Sequence, residues 1–283
     1  MIRANFDSLH GKNCVMTGGT GVLGLSICEC LAGAGINLAI LGLDEEEAQM
    51  QAFGLTNKYG IKAIGIGCDV LDRQEIEKTN LRILACLGSI DFLINGAGGN
   101  SPKATTKLEQ IIPGKDFSWD DTFFGLAEEG FKQVFDLNFQ GTLLPTMVFA
   151  RGMVERGHGV VLNISSMNAF KPLTKIPAYS AAKSAINNFT EWLAVHLGKT
   201  GVRVNAIAPG FFLTNQNRFL LTNEKTGELT PRGQRIISST PMGKFGEPND
   251  MGGTVLFLLS DLSAFITGIV IPVDGGYSAF GGV

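Results

Sequence analysis

The chain is short of the residues that build metal centres and disulfide frameworks, with 3 histidines and 5 cysteines in 283 residues. His10, His158 and His196 show no metal-ligand spacing, so they read as surface or packing residues and no metal is expected. The cysteines, at 14, 28, 30, 68 and 86, are odd in number, contain no C-x-x-C and mostly lie in apolar runs. Reduced, buried thiols are the expected state. No apolar run approaches a membrane span, and the opening Met1-Ile-Arg-Ala-Asn-Phe-Asp lacks the apolar stretch of a secretion signal. A cytoplasmic protein without a membrane partner is expected. Charge is also sparse, at 17% of residues with a net −3. That balance gives no electrostatic case for nucleic acid, and no dense Lys/Arg cluster offers itself to an acidic carrier protein. Linker-like Pro/Ser/Gly runs, shifts of composition and internal repeats are missing too, so one domain over residues 1–283 is expected.

What is present is hydrophobic content of 45%, 37 glycines and an alternation of strand-like and helix-like runs. The expected strands are Asn13–Thr17, Asn37–Gly42, Lys62–Gly67, Asp91–Asn95, Val160–Ser165, Arg203–Ile207 and Ile269–Val273. These are short β-branched or apolar runs, as strands buried on both faces require. With helices between them they predict an α/β fold, a Rossmann-like doubly wound parallel sheet of about seven strands with helices on both faces. Asp72-Arg-Gln-Glu75 reads as a capping box, and Asp250–Leu259 as a late amphipathic helix. Two polar segments break the alternation, Gly99–Asp121 and Phe211–Phe245. Both should leave carboxyl ends of strands, where such sheets bind ligands, so both are candidate substrate-side loops.

Two motifs carry the chemistry. The first is Thr17-Gly18-Gly19-Thr20-Gly21-Val22-Leu23-Gly24, set between a strand-like and a helix-like run. Strand, glycine turn and helix form a dinucleotide fingerprint: Gly18 for the tight turn, Gly21 for approach to the pyrophosphate, Gly24 for close helix packing. The second is Tyr179-Ser-Ala-Ala-Lys183, 13 residues after Ser166. Four apart on a helix, a phenol and an ammonium share a face. The cation is expected to lower the Tyr179 pKa, fitting it for proton transfer.

With Cys68-Asp69-Val70, Asn95-Gly96-Ala97-Gly98, Asn138, Pro209-Gly210 and Asp274-Gly275-Gly276, these motifs resemble the short-chain dehydrogenase/reductase family from about residue 10 to residue 277. The family's middle glycine usually falls where this chain has Val22, one place after Gly21. The resemblance implies an NAD(P)-dependent oxidoreductase with Asn138, Ser166, Tyr179 and Lys183 as catalytic residues. Tyr179 would exchange the proton, Lys183 tune it and bind the nicotinamide ribose, Ser166 hold the reacting oxygen, and Asn138 hold a water. The implied cofactor contacts are Gly18, Thr20, Gly21, Val22, Leu23, Asp44, Asp69, Val70, Asn95, Ala97, Gly98, Pro209, Gly210 and Thr214, with Tyr179 and Lys183. Asp69 would meet the adenine amino group, although it also suits a turn. A homotetramer is implied as well, through the long helices and residues 266–283.

The choice between NAD and NADP rests on the end of the second strand. The resemblance would mark NAD by Asp at 42 and NADP by Arg at 43, but Gly42 and Leu43 stand there. The acids Asp44, Glu45, Glu46 and Glu47 follow, and a 2′-phosphate would face like charge. NAD is expected, with NADP left open, and Asp44 equally suits a helix cap. For the substrate, Gly21–Gly24, Gly98–Thr106 and Phe211–Arg218 resemble the mannonate oxidoreductase (fructuronate reductase) branch of the family. That implies a sugar-acid substrate, with Asn100, Lys103, Asn215, Gln216, Asn217 and Arg218 as candidate contacts. Amides suit its alcohols and a guanidinium its carboxylate. Gluconate dehydrogenases and 3-oxoacyl-carrier-protein reductases are the rival readings, and a nucleotide-binding regulator without catalysis a remote one.

Overall fold

A computed structural model describes residues 5–214, 218–223 and 226–282. Among them, seven strands form one sheet in the order β3-β2-β1-β4-β5-β6-β7. They are β1 (Asn13–Thr17), β2 (Asn37–Gly42), β3 (Ala63–Gly67), β4 (Phe92–Asn95), β5 (Gly159–Ile164), β6 (Val202–Pro209) and β7 (Val270–Val273). Every pairing is parallel, for example Val15 opposite Ala39 and Leu93, and Val161 opposite Val204. The Rossmann-like doubly wound sheet expected from the alternation is the one found. Its boundaries differ at strand ends: β6 runs on to Pro209, while β5 stops at Ile164 and leaves Ser165 and Ser166 beyond it.

The intervening helices are α1 (Val22–Gly33), α2 (Glu45–Tyr59), α3 (Arg73–Cys86), α4 (Glu128–Phe135), α5 (Gly141–Arg156), α6 (Pro177–Leu197), α7 (Arg218–Leu221), α8 (Pro231–Ser238) and α9 (Gly252–Leu259). Side chains alternate across each strand, so the sheet feeds two separate cores. Cys14, Met16, Leu38 and Ile40 pack under α1, α2 and α9. Val15, Ala39, Leu41 and Leu93 pack under α3, α5 and α6.

Three local expectations need correction. The late helix starts at Gly252 after a 3₁₀ turn, Pro248–Met251, and it is not amphipathic. It is apolar nearly all round because it packs against both the sheet and its neighbour α1, where a Cβ on Gly252 would come 2.5 Å from Cys30 Sγ. The Asp72 box is half formed. The carboxylate accepts from the N–H groups of Gln74 and Glu75, but the Asp72 N–H donates to the Asp69 carbonyl, not to Glu75. All five cysteines are free, but only Cys14, Cys28 and Cys68 are buried; Cys30 is half-buried and Cys86 exposed. Burial pushes the Cys28 thiol up to about 12. Among the described residues no helix is long and apolar enough to cross a membrane, and no His/Cys/Asp/Glu group could hold a metal.

Candidate active site

Because all strands are parallel, the strand-end motifs gather at one edge of the sheet. Strand order reverses between β1 and β4, which opens a crevice there. Its floor is backbone against backbone. Thr17 Oγ1 accepts from the N–H groups of Gly96 (3.0 Å) and Ala97 (3.2 Å). Gly18 turns the chain with φ 63°, and a Cβ on it would lie 2.8 Å from Ala97 N. Gly24 is tighter still, with a Cβ position 2.2 Å from the Gly18 carbonyl oxygen. Gly21 caps α1 without any side-chain cap, so the amides of Val22 and Leu23 open the helix unpaired by a side chain. A Cβ on Gly21 would meet only Gly18 O, at 3.4 Å. An exposed, uncapped helix start behind glycines suits a pyrophosphate.

Other expected cofactor residues divide into two groups. Asp44 caps α2 by accepting from Glu47 N at 3.0 Å, and Asp69 accepts from Leu71 N at 2.9 Å. Each keeps a second carboxylate oxygen for a ligand. Val70 is buried, against Gly141. The Asn95 side chain faces inward. Its Nδ2 donates to Thr146 Oγ1 (2.9 Å) and Asn163 Oδ1 (2.8 Å), and Asn163 Nδ2 donates to Thr190 Oγ1 (2.9 Å). Sitting at an odd strand register with Leu93, it falls on the α5–α6 face. This ladder ties α5 and α6 to the ends of β4 and β5. Pro209 ends β6, and Gly210 lies so close to Asp274 that a Cβ would come 2.6 Å from its Cα. Thr214 is half-buried and accepts from Arg218 N through its carbonyl (2.9 Å).

The Tyr179 hydroxyl lies beside Ser166, whose Oγ accepts from Asn168 N at 3.2 Å. Ser165 turns the other way, to Asn187 and the Lys183 carbonyl. Lys183 is 3% exposed, and its Nζ donates to the Ile164 carbonyl at 2.8 Å. The expectation that Lys183 lowers the Tyr179 pKa does not hold without ligand. Burial pushes Tyr179 up, offset in part by Ser166. Burial also brings Lys183 down to about 8. The reason is aim: the ammonium serves the Ile164 carbonyl and stands 5.6 Å from the phenol ring centre.

A stability prediction follows from the depressed lysine. Above its unfolded pKa the buried amine costs no charge, whereas below about pH 8 the fold must hold a buried ammonium. Relative to Lys183→Met, the wild type should therefore gain stability between pH 8 and about 10.5, by up to about 3 kcal/mol. Urea unfolding of both proteins at pH 7.5 and 10 measures it. An unchanged difference would mean the lysine is not desolvated.

Asn138 sits in a π-helical turn, Asp136–Gln140, between α4 and α5. Its Nδ2 donates to the carbonyls of Gly99 (2.7 Å) and Val134 (2.8 Å), and its Oδ1 accepts from Gly99 N (3.3 Å). Its own carbonyl accepts from Thr142 Oγ1 at 2.8 Å. A Cβ on Gly98 would lie 2.7 Å from Asn138 Oδ1 and 3.2 Å from Lys183 Nζ, so glycine is needed where these groups approach.

The two irregular segments meet beside this centre. Residues 99–106 are pinned to the start of α6 by Thr106 N donating to the Lys175 carbonyl (3.0 Å), and Ala104 packs with Ala178, Ala182 and Tyr179. Asn100 is exposed and donates to Thr105 Oγ1 (2.9 Å); Lys103 is exposed on the 3₁₀ turn Pro102–Ala104. Glu109 pairs with Arg235 of α8 at 3.1 Å, joining the segments. Asn215, Gln216 and Asn217 lie outside the described residues. Arg218 opens α7, exposed and without an ion-pair partner among the described residues. One residue escaped the sequence reading: Asn168, 4% exposed, with an Oδ1 that has no partner among the described residues. A polar residue two places after Ser166, in the turn Met167–Ala169, was the available signal.

The chain is similar to known proteins along nearly its whole length. A family model described as enoyl-(acyl carrier protein) reductase covers residues 20–278. An uncharacterised oxidoreductase, UxuB, of Bacillus subtilis (strain 168) is 46% identical over 278 residues, 98% of each chain. A crystal structure from Haemophilus influenzae, of a protein provisionally named a D-mannonate oxidoreductase and holding NAD, superposes with a TM-score of 0.91. It is 47% identical and covers 97% of this chain and 98% of its own. A 3-oxoacyl-[acyl-carrier-protein] reductase of Aquifex aeolicus is 34% identical over 268 residues, 95% of this chain and 98% of the relative.

Proposed function

The chain belongs to the short-chain dehydrogenase/reductase family, as an NAD(P)-dependent oxidoreductase of CH–OH groups, and we propose that it uses NAD(H) to interconvert a keto-uronate and its aldonate, fructuronate and mannonate. The observation that carries the chemistry is the contact of Tyr179 with Ser166 beside a buried Lys183, next to an uncapped glycine turn. Support for the substrate comes from the 47% identical relative provisionally named for mannonate, and for NAD from the NAD that relative holds.

The residues divide the work as follows. Gly18, Gly21, Val22 and Leu23 would hold the pyrophosphate, and Asp69 the adenine. The bound nicotinamide supplies and accepts hydride. Ser166 Oγ and the Tyr179 hydroxyl orient the substrate oxygen, and Tyr179 gives or takes its proton. Lys183 Nζ has donors beyond the one used on Ile164 for the nicotinamide ribose, and a phenolate formed during turnover would lie beside its ammonium. Residues 99–121 and 211–245 of a single domain bound the substrate side, with Asn100, Lys103, Asn215, Gln216, Asn217 and Arg218 as its contacts. Assembly as a homotetramer suits exposed Trp192 and Val195 on α6 and Phe265 near the C-terminal segment.

The test is oxidation of NADH and NADPH against keto-uronates, keto-aldonates and acyl thioesters. Fructuronate with NADH should give the highest kcat/KM, and acyl thioesters as the preferred class would replace this reading with the acyl-carrier one. Arg218→Ala should raise KM for the acid roughly ten- to hundredfold, the loss of one charge-assisted contact. A neutral analogue should be little affected. Equal effects on both would remove Arg218 as the carboxylate partner.

A further inference from the structure

In dinucleotide folds an acid about 20 residues beyond the glycine turn takes the 2′-hydroxyl of the adenosine ribose. Here the end of β2 offers no such group, because Gly42 stands there. The geometry explains why. A Cβ on Gly42 would lie 2.6 Å from Thr20 Cγ2, 2.7 Å from Thr20 Oγ1 and 3.2 Å from Thr20 Cβ. Real Cβ atoms do not come that close, so the Thr20 side chain fills the space an acid at 42 would start from. Residue 42 can be nothing but glycine while Thr20 keeps this place.

Thr20 is also held and available. Its carbonyl accepts from Gln51 Nε2 of α2 at 3.3 Å, which anchors the glycine turn to the neighbouring helix. Its hydroxyl has no hydrogen-bond partner among the described residues, and the residue is half-buried. Of the next side chains only Asp44 keeps a free oxygen, and it stands two residues beyond the strand end, as the cap of α2. Leu43 is 81% exposed and has no polar group, and one oxygen of Asp44 is engaged with Glu47 N. Glu45 turns away to Arg82 at 3.0 Å.

We infer that Thr20 Oγ1 takes over the task of the missing acid and is this chain's specificity residue for the 2′-hydroxyl of NAD. This deepens the cofactor assignment proposed above and rests on it. A neutral hydroxyl reads the ribose through one hydrogen bond, and the acids at 44–47 then disfavour a 2′-phosphate by charge. Thr20 and Gly42 therefore form a coupled pair: an acid at 42 would displace the Thr20 side chain from this place.

The experiment is calorimetric titration of the purified protein with NAD, NADP and 2′-deoxy-NAD, without substrate. Thr20→Val keeps the shape against Gly42 and removes the hydroxyl. It should weaken NAD about three- to tenfold, one neutral hydrogen bond, while Thr20→Ser stays near wild type. In wild type the deoxy analogue should bind weaker by a similar factor, and in Thr20→Val it should bind like NAD. Gly42→Asp alone should lower the melting temperature and weaken NAD; Thr20→Gly with Gly42→Asp should recover both. NAD binding within twofold of wild type in Thr20→Val, or the same penalty for the deoxy analogue in both proteins, overturns the inference while leaving the NAD assignment intact. A wild type that prefers NADP overturns the assignment and the inference together.

Discussion

Tyr179→Phe should cost at least ~10²-fold in kcat, because it removes the transferable proton and nothing else. The ring keeps its contacts with Ala104, Ala178 and Ala182. Lys183 keeps its bond to Ile164, which does not pass through the phenol. Calorimetric titration should therefore give an NAD affinity within about threefold of wild type, and the melting temperature should hardly move. Stopped-flow turnover with the best substrate decides the matter: a variant within tenfold of wild-type kcat would exclude Tyr179 as the acid/base. The shift of the free Tyr179 upward by burial adds a condition. The phenol is a proton holder in the unliganded protein, ready for reduction of a carbonyl. Alcohol oxidation needs the phenolate, and so should gain more from raised pH.

The other large effect lies in the glycine turn. Gly24→Ala puts a Cβ 2.2 Å from the Gly18 carbonyl oxygen, a backbone atom that cannot swing aside like a flexible side chain. α1 must shift away from the turn, at a cost of about 3 kcal/mol or more. The same shift opens the phosphate site, so NAD affinity should fall at least ~10-fold. Gly253→Ala on α9 is the control. A Cβ there meets nothing within 4 Å, and alanine should stabilise the helix by up to about 1 kcal/mol. Equal melting temperatures for the two variants would mean that the close approach at Gly24 does not constrain the fold.

Much of this was legible in the sequence because it depends on local pattern. The strands β1 and β2 could be bounded to the residue, since Asn13–Thr17 and Asn37–Gly42 are apolar runs closed by glycine or polar residues. The strand-end motifs were legible for the same reason: a parallel sheet brings all its carboxyl ends to one edge. What resisted reading depends on neighbours distant in sequence. The inward turn of Asn95 is set by Thr146 and Asn163, 51 and 68 residues away. The apolar character of α9 is set by α1, and the aim of Lys183 by the Ile164 carbonyl. The pKa expectation failed on that last point, since spacing on a helix gives a shared face but not the direction of a four-carbon chain. Thr20 was found by its place in the motif, but its exclusion of a side chain at 42 is a relation between two loops that only coordinates express.

The amide ladder beneath the crevice also ties the fold to one strand register. Asn95 and Asn163 occupy the same sheet face, opposite one another in the β4–β5 register. A slip of either strand by one residue would turn its amide to the α1–α9 side, among Met16, Ile94 and Leu162. The hydroxyls of Thr146 and Thr190 would lose their donors, and the displaced amide would have no partner in that oily layer. Each buried amide so orphaned costs about 1–3 kcal/mol, which disfavours the wrong pairing. The register that completes the ladder is thus also the one in which α6 brings Tyr179 and Lys183 to the crevice.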